Sequence, residues 1–165
     1  MLFVIDGKPL SSKNSRPVFY TRSGKPFIGK SKRLSQYTEK ALWELKAQKA
    51  KNRESFPLTD DLRAKFTFFV PDKRKRDLVN LMQLPSDLLQ RAEIIEDDCQ
   101  IKCLDGSKIL LDKKSPRTEI YIEPYRICFN CRHFKETVDD FLCWANGKPD
   151  SIDMREDCKG WEGEW

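Results

Sequence analysis

The spacing of apolar residues changes several times along this chain, and each change marks an element. Leu2 to Ile5 is a short apolar run ending at Asp6, which predicts a first strand over 2–6. Residues 7–29 interrupt it with Gly, Pro, Ser and basic residues around two aromatic patches, Pro17–Tyr20 and Pro26–Ile28, the composition of a loop or hairpin. From Ser31 to about Arg53, Leu34, Tyr37, Ala41, Leu45 and Gln48 recur at helical spacing, Leu42 and Trp43 widen the stripe, and the opposite side is Lys-rich. This predicts a long helix closed by Pro57. Arg63–Val70 reads as a Phe-rich strand. Leu78, Leu81, Met82, Leu88, Leu89 and Ala92 describe one face of a helix over 78–91. Pro85 lies inside it, and because an interior proline costs about 3 kcal/mol, the segment is expected to kink or to restart at Pro85. Cys99–Cys103 reads as a strand with two buried thiols, and 104–107 as a turn. Thr118, Ile120 and Ile122 alternate with Glu119, Tyr121 and Glu123 in a last strand that Pro124 ends. The order β, α, β, α, β, β predicts one α+β core over 1–125, followed by a small cysteine module over 126–165.

Composition narrows the class. The chain has 165 residues, 35% charged and 39% hydrophobic. Its longest central apolar stretch, Phe66–Val70, broken only by Thr67, is far short of the roughly 20 residues that a spanning helix needs. The first residues carry no basic leader, so a cytoplasmic protein without a membrane segment is expected. The net charge of +5 is unevenly placed: +9 over 1–56, −1 over 57–125 and −3 over 126–165. A basic arm before an acidic centre suits a polyanion-binding protein with a metal site. The alternative is a solvated, lopsided surface.

Cys128-Phe-Asn-Cys131 is a C-x2-C knuckle, with Cys143 and Cys158 further on. In the absence of a secretory leader, four such thiolates match a structural zinc site better than disulfides. His133, the single histidine, lies within the module and is a substitute ligand. A module of 40 residues, even with Phe129, Phe134, Phe141, Trp144 and Trp161, can hardly build a core unaided and gains from an ion that helps it fold.

The acids that suggest chemistry are Asp77, after four consecutive bases (Lys73, Arg74, Lys75, Arg76), and the pair Asp97-Asp98 after the second helix. Asn80 and Asp87, seven apart, share a side of that helix. Carboxylates gathered at one point repel unless a cation lies between them, and hard oxygen ligands select Mg²⁺ or Mn²⁺. The adjoining bases attract phosphate. An acidic surface loop with Asp77 as a helix cap is the simpler alternative.

Phe68 to Leu81 (FFVPDKRKRDLVNL), with Asp87-Leu88-Leu89 and Ile94-Ile95-Glu96-Asp97-Asp98-Cys99-Gln100-Ile101, resembles the RusA-type Holliday-junction resolvases (crossover junction endodeoxyribonucleases). Their pattern is a basic turn, D-x-D-N-L, a helix with an internal Asp, and D-D-x-Q-[IV]. Asp6-Gly7-Lys8-Pro9-Leu10 and Lys13-Asn14-Ser15-Arg16-Pro17 extend the resemblance to about residues 2–123. The cysteine module falls outside the usual family core.

The resemblance implies an α+β fold with a mixed sheet and two main helical segments. It also implies a homodimeric, Mg²⁺-dependent endonuclease that nicks opposing strands of four-way DNA junctions in a bacterial or phage-infected cell. By position, Asp77 and Asp98 are the implied metal ligands, Asp97 a neighbouring ligand or support, and Asp87 an acid facing or orienting the cluster. Lys13, Asn14, Arg16, Lys73, Arg74, Lys75 and Arg76 are the implied DNA contacts. Two positions depart from the pattern: Val79 stands where the second acid belongs, and Gln83 where a lysine belongs. The alternatives are therefore a weakened, junction-binding protein, or a zinc-ribbon adaptor that docks a protein partner. The cysteine spacing itself makes a prediction. Elemental analysis of the purified protein should find about one zinc per chain, as expected for a closed four-thiolate site, and finding none would refute the site.

Overall fold

The computed structural model describes residues 1–13, 17–29 and 31–125, and beyond them only the backbones of 134–136, 141–143 and 150–151. Asn14, Arg16, Cys128, Cys131, His133 and Cys158 lie outside the described residues, and of Cys143 only the backbone is described. The elements, in chain order, are β1 (Leu2–Asp6), β2 (Val18–Tyr20), β3 (Pro26–Ile28), α1 (Lys32–Lys51), β4 (Leu62–Val70), α2 (Leu78–Arg91), a 3-10 turn (Asp98–Gln100), β5 (Ile101–Cys103), β6 (Lys108–Leu111) and β7 (Arg117–Pro124). The strands β8 (Phe134–Glu136), β9 (Phe141–Cys143) and β10 (Asp150–Ser151) form a small antiparallel sheet in the order β10-β9-β8.

The architecture is α+β, a mixed sheet with two helices. The sheet runs β1-β7-β4-β5, with β6 also on β4. β7 lies antiparallel to both β1 and β4, whereas β5 and β6 pair with β4 in parallel, β5 at Leu62–Arg63 and β6 along 67–70. Alternation drives this arrangement. Phe3 and Ile5 of β1, Ala64, Phe66, Phe68 and Val70 of β4, and Thr118, Ile120 and Ile122 of β7 are buried. Leu34, Ala41 and Leu45 of α1 and Leu81, Leu84, Leu88 and Leu89 of α2 complete one core with them. Burying each of the Phe, Ile, Leu and Val side chains among them is worth about 1.5–3 kcal/mol.

α1 does more than cover the sheet. β1 is an edge strand, and the polar groups on its outer side are met by α1 side chains. The Gln48 amide accepts from Val4 N (2.8 Å) and donates to Val4 O (2.6 Å). Glu44 accepts from Asp6 N (3.0 Å), and Lys40 donates to Asp6 O (3.1 Å). This closes an edge that would otherwise template another strand. Tyr37 of α1 is pushed up to about 12 chiefly by burial, so its phenol stays protonated at ordinary pH.

Several expectations are corrected. Trp43 points out of the core, 73% exposed. α1 ends at Lys51, close to the expected Arg53, but Asn52 and not Pro57 caps it. α2 neither breaks nor restarts at Pro85, which is buried inside one continuous helix. Cys99 is exposed and precedes β5, while Cys103 is buried. β6 escaped notice because Lys108–Leu111 lacks alternation and is mostly exposed. Leu45→Ala should cost about 2–5 kcal/mol in chemical denaturation, whereas Trp43→Ala should stay within about 0.5 kcal/mol; equal losses would contradict this packing.

Candidate active site

The basic turn between β4 and α2 is folded by one acid. Asp72 accepts from Lys8 Nζ (2.9 Å), from the Arg74 backbone N–H (3.1 Å) and from the Arg76 guanidinium (2.5 Å). Arg76 also donates to the carbonyls of Asp72 (3.0 Å) and Arg74 (2.9 Å). Its side chain is only 12% exposed. Arg76 therefore shapes the turn, which leaves Lys73, Arg74 and Lys75 exposed as the cations presented outward. Lys8 ties the turn to the end of β1. Hydrogen bonds from Lys8 and then Arg76 hold the Asp72 carboxyl well below the usual carboxylate range.

Asp77 caps α2. One carboxylate oxygen accepts from Asn80 N (3.3 Å) and the other from Asn80 Nδ2 (2.8 Å). This exposed acid lines a cavity with Leu10, Ser11, Lys75 and Arg76. Ser11 is buried, and its hydroxyl has no hydrogen-bond partner among the described residues. A buried orphan hydroxyl is costly unless something satisfies it, so the cavity combines a carboxylate, a cation and an unused donor. Ser11 carried no signal in the sequence, because only the fold brings it beside Asp77.

The second acidic station forms at the other end of α2. Asp97 caps the 3-10 turn, accepting from Cys99 N (2.8 Å) and from Gln90 Nε2 (3.3 Å). The Cys99 thiol and then its backbone N–H lower the Asp97 carboxyl, and the same contact raises the thiol. Gln100 is the anchor. Its buried amide accepts from Glu96 N (2.8 Å) and Asp97 N (3.0 Å) and donates to Leu58 O (3.0 Å) and Asp60 O (3.1 Å). The turn that carries exposed Asp98 is thus pinned to the start of β4. Asp87 and Gln90 line one cavity on this side, with Ser12, Thr38 and Arg91.

The sequence expectation that the acids converge is not met within one chain. α2 rises about 18 Å between Leu78 and Gln90, so Asp77 and Asp97-Asp98 fall at its opposite ends. Among the described residues, no three Asp, Glu, His or Cys side chains come close enough to form a group that could hold a metal ion. Val79 is 62% exposed and offers no oxygen.

A family model described as Endodeoxyribonuclease RusA matches residues 6–123. A crossover junction endodeoxyribonuclease RusA of Aquifex aeolicus (strain VF5) is 29% identical over 90 residues, which is 54% of this chain and 64% of that relative. The match thus spans a little less than two thirds of the relative's length.

The Asp72 clamp predicts a pH dependence. Its carboxyl is depressed in the folded protein, so its contribution is whole above about pH 5, begins to fade below the unfolded value near 4, and is lost as pH falls toward the depressed folded value. Between about pH 5 and 2, the wild-type melting temperature should therefore fall more steeply than that of Asp72→Asn. Parallel curves would show that the clamp contributes nothing to the folded turn.

Proposed function

The chain belongs to the RusA endodeoxyribonuclease family, and on that premise we propose that it is a divalent-metal-dependent endonuclease resolving four-way DNA junctions. The observation that carries this reading is the site at the start of α2. There Asp77 is oriented by Asn80 beside Lys75 and the Ser11 hydroxyl, which has no partner among the described residues. Lys73, Arg74 and Lys75 attract the phosphate backbone, and Ser11 has a donor to offer a phosphate oxygen. Branched DNA is accordingly the proposed partner.

The donor set suits Mg²⁺ or Mn²⁺. Mg²⁺ is commonly held by one or two carboxylates, with water and substrate phosphate completing its shell. Asp77 and Asp98 are both exposed carboxylates. Bound between them, the ion would neutralise charge at the scissile phosphate and activate water for attack. Because one chain sets these acids at opposite ends of α2, the reading requires a two-fold dimer in which Asp77 of one copy faces Asp98 of the other. Such symmetry also suits paired cuts in a junction. Asp97 then supports Asp98 by shaping its turn. Asp87 lines a cavity with Gln90, whose amide meets Asp97, and is proposed to orient that acid through it. By their position in the sequence after β1, Lys13, Asn14 and Arg16 are proposed as further contacts to the phosphate backbone.

A second reading is favoured by Val79: a junction-binding protein that has lost efficient cutting. One assay separates the two. With Mg²⁺ or Mn²⁺ the protein should nick a synthetic four-way junction, and Asp77→Asn should lower the rate by about a hundred-fold or more. Tight junction binding without cutting under either ion would overturn the nuclease reading, and a gain of cutting in Val79→Asp would then identify the missing acid as the cause.

A further inference from the structure

The segment between β1 and α1 has a composition of its own. From Gly7 to Thr38 the chain carries eight Lys/Arg and no Asp or Glu. Within it, β2 and β3 form a separate two-stranded antiparallel ribbon that pairs with no strand of the main sheet. The ribbon is firmly turned. Thr21 N–H donates to Lys25 O (2.9 Å), and Gly24 N–H donates to Thr21 O (2.9 Å). Thr21 Oγ1 accepts from Lys25 N (3.0 Å). Gly24 has φ +77, the left-handed conformation that a three-residue hairpin loop with a glycine bulge requires. The chain therefore specifies this hairpin locally instead of leaving a slack loop.

What the ribbon presents is unusual for a surface. Val18 is 55% exposed, Phe19 40% and Tyr20 71%. Successive strand residues point to opposite faces, so Val18 and Tyr20 share one face and Phe19 takes the other. Arg22 and Lys25 sit exposed in the loop beyond Tyr20. An isolated two-stranded hairpin is marginal on its own, and clustered exposed apolar side chains mark an interaction site. With eight bases and no acid in the segment, the complementary surface is a polyanion that also offers flat apolar faces. Nucleic acid meets both requirements: phosphates for the bases, and base faces for the rings.

We propose that the β2–β3 ribbon is a branch-sensing wedge: Tyr20 stacks on a base exposed at the centre of a four-way junction while Arg22 and Lys25 hold the flanking phosphates. This rests on the junction reading above and adds the element that tells a branch from plain duplex. In uninterrupted duplex every base pair is covered on both faces by its neighbours. At an opened branch, the last pair of each arm loses one neighbour and leaves a face for an aromatic ring. Selection of this kind is by structure and not by sequence, because every base has such a face.

The test uses the full chain, a four-way junction carrying the fluorescent adenine analogue 2-aminopurine at its centre, and an unbranched duplex of matching length. Wild type should prefer the junction and raise the fluorescence as bases unstack. Tyr20→Ala should weaken junction binding roughly ten-fold, in line with the loss of one base–aromatic stack. It should leave duplex binding unchanged and abolish most of the fluorescence rise. Tyr20→Phe, which keeps the ring, should behave as wild type, and that rescue excludes a simple folding defect. If wild type prefers the junction and Tyr20→Ala matches it in affinity and fluorescence, the wedge is refuted while the junction reading stands. An equal loss on junction and duplex would overturn it too, making the ribbon a general backbone contact. A shift from dimer to monomer on Tyr20→Ala, by light scattering, would assign the ribbon to a second copy of the chain instead. Wild type binding both DNAs equally would defeat the junction reading itself, and the wedge with it.

Discussion

The buried face of β4 governs the rest of this molecule. Ala64, Phe66, Phe68 and Val70 present one apolar row at the centre of the sheet, and both helices must cover it. The chain leaves β4 at Val70 and returns over the sheet as α2, so α2 begins near one end of β4 and finishes near the other. The Leu58–Ile95 bridge and the β4–β5 pairing at Leu62 fix that return. The acidic residues inherit their places from this path: Asp77 at the entry to α2, and Asp97 and Asp98 beyond its exit. The hydrophobic core therefore decides that the two acidic stations lie apart in one chain, and hence that a metal-dependent mechanism drawing on both needs a second copy.

Polar side chains then set the loops that the core leaves undefined. Gln48 and Glu44 close the outer edge of β1, Gln100 pins the acidic turn, Asn80 orients Asp77, and Asp72 folds the basic turn around Arg76. Each replaces water at backbone groups or charges that would otherwise be unpaired, which is where single hydrogen bonds matter most. The same contacts divide the charged residues by role. Arg76 and Asp97 are bound up in shaping their turns, while Lys73, Arg74, Lys75, Asp77 and Asp98 remain exposed at the surface.

How much of this the sequence discloses follows from what each signal encodes. Strong periodicity located β1, α1, β4, α2 and β7 nearly to the residue, because burial on one face writes itself into spacing. Trp43 misled because an aromatic beside a helical stripe is a cue to burial only when the opposing layer reaches it. Pro85 does not restart the helix, because the cost of a missing hydrogen bond is offset by burial of its ring in the core. β6 pairs through its backbone at a mostly exposed edge, so its side chains carry little pattern. The acids of the candidate site were legible as types and spacings along the chain, but their separation was not, since it depends on the direction in which α2 crosses the sheet. Ser11 and the roles of Gln100 and Asn80 are visible only in three dimensions.

Complementation between subunits tests the central claim most directly. Asp77→Asn and Asp98→Asn chains would each be purified, shown to be inactive alone on a four-way junction, then mixed under conditions that exchange subunits and assayed again with Mg²⁺. If each site is built from Asp77 of one copy and Asp98 of the other, the mixed dimer keeps one intact site, and nicking of one strand returns. A mixture as inactive as its components, with subunit exchange verified, would contradict the shared site.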